Sequence, residues 1–365
     1  MFGRSSAMRK YTPFLKMKVN EVGALQALPE DVFPKIVPFF DLPHNKDRNL
    51  QGLDKLISDS SKKMKKLADR IPKFFLDLHD IPDGLANQGI GAFNSVALAF
   101  QTQDFIPVIG LDRSAAYLSS VFLSQSSGLL TSKTLAIRLV DDDYQSYAAC
   151  KSDISILVAN AKSAGFIDFI LVLDMRVCIS KLPLDLASSL LKFIGAVTQA
   201  SIFKEIIVTG SSITAQIVAI VPTETTLTSA RVELDTFNLI NALPRQLVGF
   251  GDYTVVSPDY SETDFPKELL RNITAPKICY PYDNVHYIAR GGALKTHRRG
   301  NAQYNDMAAK LVAEPFFRQA GYSFGEDFLI EKASGQGSAV TPSSILKPTI
   351  CAHMTYMVRA HPLFV

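Results

Sequence analysis

Eight short apolar runs, each followed by a stretch long enough for a helix, constrain this chain more than anything else in it. They are residues 11–18 (YTPFLKMK), 36–41 (IVPFFD), 73–78 (KFFLDL), 105–112 (FIPVIGLD), 134–140 (TLAIRLV), 167–174 (IDFILVLD), 205–209 (EIIVT) and 253–257 (YTVVS). Strand–helix alternation of this length predicts an α/β fold with a parallel sheet and helices outside it, and eight units predict a closed (β/α)8 TIM-like barrel. A barrel of this kind needs about 250 residues. Residues 11–260 are therefore assigned to it, residues 1–10 to a loose tail, and residues 261–365 to a C-terminal α+β extension packed on the barrel.

The composition supports a large core and excludes little else. Hydrophobic residues make up 47% of the chain and charged residues 20%, so general disorder is not expected. A net charge of +3 is too small to point to nucleic acid by itself. Cys150, Cys178, Cys279 and Cys351 form no CxxC pair and lack zinc-finger spacing, so they read as reduced, buried thiols of a cytoplasmic protein. The opening MFGRSSAMRK has no apolar stretch of the secretory kind, and residues 96–111 are interrupted by Gln101, Gln103, Asp104 and Pro107, so no membrane span is expected.

Helical spacing is predicted over residues 21–28, 49–69, 84–100, 115–123, 144–163, 185–199 and 231–241. Ser114 and Asp143 are placed to cap two of these helices, and Gly165 to close one. Lys62, Lys63, Lys65 and Lys66 read as a solvated helix face, with phosphate binding as the sharper alternative. Beyond residue 260 come an extended run at 285–290, a helix near 303–318, a Gly/Ser loop (ASGQGS) and a final apolar run at 353–358.

Four landmarks occur in order along nearly the whole chain: YTPFLKMKVNEVGAL at the start, FGDYTVVSP, YIARGG and CAHMTYMV. Together they resemble the beta protein family of phages and bacteria. The family commonly has a Trp in its C-terminal part, and this chain has none. The resemblance implies a one-piece, barrel-like protein encoded by phages or bacteria, some members lying near mobile or defence genes, and a final strand carrying His353. It implies no catalytic residue.

The strand ends supply the chemistry. Alternation puts Lys16 and Lys18 on one face of the first strand with Thr12 and Phe14. Asp41, Asp77, His79, Asp80, Asp112, Arg113, Arg138, Asp174 and Arg176 fall at carboxyl ends of strands, which converge on one mouth of a barrel. Ile137 and Leu139 flank Arg138, which sends Arg138 into the interior. Lys16, Lys18, Arg138 and Arg176 could hold a phosphate-bearing ligand, with Asp77, His79 and Asp174 as acid/base groups. The carboxylates also suit Mg²⁺, although no motif specifies a metal and zinc signatures are missing. Internal Arg–Asp pairs explain the same residues equally well. In GDY, Asp252 and Tyr253 open the eighth strand as a cap or a partner for an arginine, or as ligand contacts. Arg290, Gly291 and Gly292, followed by Lys295, His297, Arg298 and Arg299, make a basic segment. It suits single-stranded nucleic acid, with Arg298 and Arg299 in contact, or is simply solvated. His353 reads as a satisfied core histidine.

Phosphate-binding P-loops, dinucleotide fingerprints and nucleophile elbows do not occur in these contexts. Two functions stay open. One is a scaffold for a protein or nucleic-acid partner in a phage or anti-phage system, which the resemblance favours. The other is a barrel enzyme or sensor for a phosphate-bearing ligand. The sequence does not specify the oligomeric state.

Overall fold

In the computed structural model, residues 10–43, 49–82, 86–87, 90–200, 202–242, 248–259 and 274–364 are described. The tail at 1–9 and the 260/261 boundary lie outside them. The barrel strands are β1 (Tyr11–Lys16), β2 (Phe39–Asp41), β3 (Lys73–Asp77), β4 (Asp104–Ile109), β5 (Thr134–Val140), β6 (Asp168–Val177), β7 (Glu205–Ser211) and, after β8 (Thr225–Ala230), β9 (Val248–Asp252). They close in the order β1-β9-β7-β6-β5-β4-β3-β2, every neighbouring pair parallel. The expected eight-stranded barrel is present.

Around it run α1 (Val19–Gln26), α2 (Leu50–Lys65), α3 (Ala92–Phe100), α4 (Ala115–Ser126), α5 (Tyr147–Ala164), α6 (Pro183–Gln199) and α7 (Val232–Asn241). Ser114 caps α4 by accepting from the Tyr117 amide at 3.1 Å. Gly165 ends α5 in the left-handed conformation, φ 106°. Asp143 does not cap α5, which starts after Ser146; its carboxylate turns back to accept from the Val140 amide at 3.0 Å.

Two expectations shift. The eighth barrel strand is Val248–Asp252, so GDY closes it and 253–257 lies beyond it. Gly249 and Gly251 hide this strand from propensity. Gly251 faces inward, and a Cβ there would come within 2.6 Å of both the Phe14 ring and the Thr12 carbonyl oxygen. We expect Gly251→Val to overpack this layer and cost about 1–3 kcal/mol, read as a lower urea midpoint; an unchanged midpoint would contradict the packing. The second shift is the closing run, which is a helix rather than a strand. Every residue from Pro348 to Val358 in it is buried, and a segment apolar all round carries no period by which to tell helix from strand.

The extension builds an antiparallel sheet in the order β8-β11-β10, with β10 (Lys277–Tyr282) and β11 (Val285–Arg290). It borrows β8 from between β7 and α7. Helices α8 (Gln303–Val312), α9 (Phe324–Ala333) and α10 (Leu346–Arg359) complete it. Tyr280, Tyr287, Tyr304 and Leu329 are buried in its own core, while Ile350, Met354 and Val358 of α10 join the layer between barrel and helices. No helix among the described residues is long and apolar enough to cross a membrane.

Candidate functional site

Strand pleating sorts the barrel interior into layers. Phe14, Phe39 and Phe75 stack in the middle, with ring centroids 4.3 and 5.4 Å apart. Two residues further along the same strands, the side chains become charged. Lys16 and Asp41 are paired in register across β1 and β2, and Asp41 and Asp77 across β2 and β3. This upper layer sits at the carboxyl ends, as the barrel rule requires.

Arg138 occupies its centre. Nε donates to Asp174 Oδ2 at 3.0 Å; Nη1 donates to Asp41 Oδ1 and Asp77 Oδ2, each at 2.8 Å; Nη2 donates to Asp174 Oδ2 and to the Tyr253 hydroxyl, each at 2.6 Å. A guanidinium has five N–H donors, and all five are taken. Tyr253 in turn donates to Asp174 Oδ2 at 2.6 Å. All five side chains are buried.

The electrostatics divides the three carboxyls. Burial pushes Asp77 and Asp174 up, but Arg113 with Arg138, and Arg138 with Arg176, outweigh it and hold both below the ordinary range. Asp41 is different. Burial raises it, Arg138 opposes, and the nearby Asp77 charge pushes it up again, so Asp41 is the carboxyl of the three that takes a proton first.

The rim continues this network. Arg113 binds Asp77 with Nη2, at 2.9 and 3.1 Å, and its Nη1 reaches Asp112 and His79 Nδ1, the latter at 2.9 Å. His79 Nδ1 also lies 3.4 Å from Asp112 Oδ2. Lys16 is buried in the lumen beside Asp41, Asp80 and Arg176, and burial lowers it to about 8. Lys18 is exposed just outside, ahead of α1. Arg176 has φ 51° at a bulge in β6, where its amide donates to Asp174 Oδ1 at 2.8 Å and Nη2 pairs with Asp259 at 2.8 Å. The mouth therefore gathers Lys16, Asp41, Asp77, His79, Arg138, Asp174, Arg176 and Tyr253. The three aspartates turn their oxygens to arginine, and among the described residues no group of three or more His, Cys, Asp or Glu is arranged to hold a metal ion.

Asp252, next to Tyr253 in sequence, points the other way. It is buried outside the barrel wall, where Tyr11 Oη donates to it at 2.5 Å, Arg231 Nη2 at 2.5 Å, and His353 Nε2 lies at 3.0 Å. Arg231 also donates to Glu233 at 2.9 Å. His286 lies behind, its ring 5.7 Å from that of His353. Burial raises the Asp252 carboxyl, but His353 and Arg231 pull it far below its ordinary value. This cluster ties β1, β9 and α7 to α10. Sequence reasoning missed Tyr11, Arg231, Glu233 and His286, because the elements that carry them, from β1 to α10, leave no local pattern of their meeting at Asp252.

The basic segment is largely spent. Arg290 is buried and donates to the Val221 carbonyl at 2.7 Å. Arg299 makes a two-pronged pair with Asp306, at 2.9 and 2.7 Å, and His297 lies 3.4 Å from Glu224. Lys295 and Arg298 are exposed.

The family model described as Beta protein matches residues 11–359 of the chain. No curated protein matches it. Among solved structures, it is similar to a triosephosphate isomerase from Bartonella henselae, at 11% identity and TM-score 0.35, over 68% of this chain and 94% of that one. A glucosidase from Croceicoccus marinus aligns at 12% identity and TM-score 0.35 over 48% of this chain, which spans 42% of that enzyme. The spore cortex-lytic enzyme SleL of Bacillus megaterium QM B1551 aligns at 10% identity and TM-score 0.30, over 85% and 70%. Similarities this remote bear on neither substrate nor chemistry.

Proposed function

As the chain belongs to the Beta protein family, we propose that it is an accessory protein of a phage or anti-phage system that works by holding a protein partner on its surface. The observation that carries this reading is the saturation of Arg138. The cation at the centre of the mouth has every donor committed to the protein's own Asp41, Asp77, Asp174 and Tyr253. A residue so placed holds the barrel together rather than meeting a ligand. A protein is favoured over nucleic acid because Arg290, His297 and Arg299 already face internal partners.

The second reading, a phosphate-bearing ligand at the mouth, is supported by Lys16, Arg113 and Arg176 around the rim beside His79. A left-handed φ at Arg176 is the kind of strain that gathers at working sites.

One experiment separates them. Phage plating on cells carrying wild-type protein, His79→Ala or Lys16→Met should give the same efficiency for all three, and tagged protein from infected cells should retain one stoichiometric protein partner. Loss of the plating phenotype in either soluble, folded variant would favour the ligand reading. Salt-sensitive binding of a single-stranded oligonucleotide, abolished by Arg298→Ala/Arg299→Ala, would replace the protein partner with nucleic acid.

A further inference from the structure

The opposite end of the barrel is not filled. Barrel interiors of this class are packed in layers from end to end. Here the lowest inward positions carry small groups, Thr12, Thr134 and Gly249, and a cavity of about 460 Å³ opens below the phenylalanine stack. Its floor is Val37, Phe75, Ile106, Ile170 and Ile207. Its rim carries Lys10, Lys73 and Lys204, with Glu205 the one acid among its lining residues.

The size lies inside the range of about 300–1,000 Å³ that small-molecule sites occupy. The chemistry is two-sided: an apolar, partly aromatic floor and a ring of ammonium groups. Lys73 pairs loosely with Asp104 at 3.4 Å, and Lys204 with Asp168 at 3.0 Å. Both pairs are solvent-exposed, and exposed pairs contribute only about 0–1 kcal/mol, so an incoming anion exchanges for them at little cost. Burial pushes the Glu205 carboxyl up, against the pull of Lys204 and Lys10.

We propose that this amino-terminal mouth binds a small amphiphilic anion, its apolar body on the inner wall below Phe75 and its carboxylate or sulfonate head among Lys10, Lys73 and Lys204. The site is distinct from the charged mouth at the other end and does not depend on the partner reading. It gives the barrel a way to sense a metabolite or a fatty-acid-like carboxylate.

The test is a titration of the full chain with 1-anilinonaphthalene-8-sulfonate, followed by displacement with decanoate. Saturable, single-site fluorescence that decanoate reverses is the expected result. Ile170→Trp, which puts an indole into the cavity, should weaken binding by about tenfold or more. Thr134→Leu, a smaller filling change, serves if Ile170→Trp does not fold. Lys10→Glu/Lys204→Glu should weaken it about fivefold with the melting temperature unchanged. Absence of saturable binding, or binding that neither filling variant alters, overturns the proposal.

Discussion

Arg138→Ala should destabilise the protein by about 3–5 kcal/mol, the range for removing one partner of a buried ion cluster. The substitution leaves Asp41, Asp77 and Asp174 facing one another in a layer shut off from water. Protonation offers partial relief, beginning with Asp41, whose carboxyl is already raised. Arg138→Lys should recover little. It keeps the charge but offers three donors from one nitrogen, where the native contacts reach Asp41, Asp77, Asp174 and Tyr253 through a planar fork. Guanidinium chloride unfolding followed by circular dichroism measures both. A midpoint for Arg138→Ala equal to that of the wild type would mean the network contributes no stability.

The second large effect is acid sensitivity of the seam between barrel and extension. His286 and His353 are buried there, and His361 lies close by. Burial, the largest cause, holds each below the ordinary value of 6.5, with Arg231 adding to it; the Asp252 charge opposes this without reversing it. For His361 the value falls to about 4. These histidines take up protons less readily in the folded chain than in the unfolded chain, which binds them below about pH 6.5. Above 6.5 neither state binds the protons and stability is full. As pH falls below 6.5 stability declines; His361, held at about 4, accounts for on the order of 2 kcal/mol of the loss at pH 5, and His286 and His353 add to it in the same direction. Asp252 acts in a lower window. Its depressed carboxyl keeps its contribution above about pH 4 and loses it only in stronger acid. Urea midpoints between pH 7.5 and 5 should therefore fall, and His286→Phe should reduce the slope. A flat profile over that interval would show that these side chains are protonated, or solvated, in the folded state.

The parts of this fold that were legible in the sequence are those encoded by short-range pattern. Alternation around Arg138 sends it inward, and seven of the eight barrel strands stand where their apolar runs lie. The eighth is obscured by Gly249 and Gly251, and at Gly251 the strand needs glycine because Phe14 and the Thr12 carbonyl leave no room for a Cβ. The closing helix is obscured for the opposite reason, since it is buried on every side and shows no polar face. At the candidate site, the membership of the charged mouth follows from strand ends, but the allocation of donors does not. Nothing local indicates that Arg138 is saturated, or that Asp252 turns outward while Tyr253 turns in. Those outcomes depend on partners such as Asp41 and His353, roughly a hundred residues away in sequence.

The borrowed strand β8 bears on how the chain is made. During synthesis, residues 225–230 emerge before β10 and β11 exist, so an edge of unpaired backbone waits until residues 277–290 follow. Asp252 likewise waits for His353. A nascent chain halted near residue 260 would have every barrel strand and an unsealed flank, with a buried-type carboxylate left to water. The last hundred residues therefore seal the flank of a barrel whose strands all precede them.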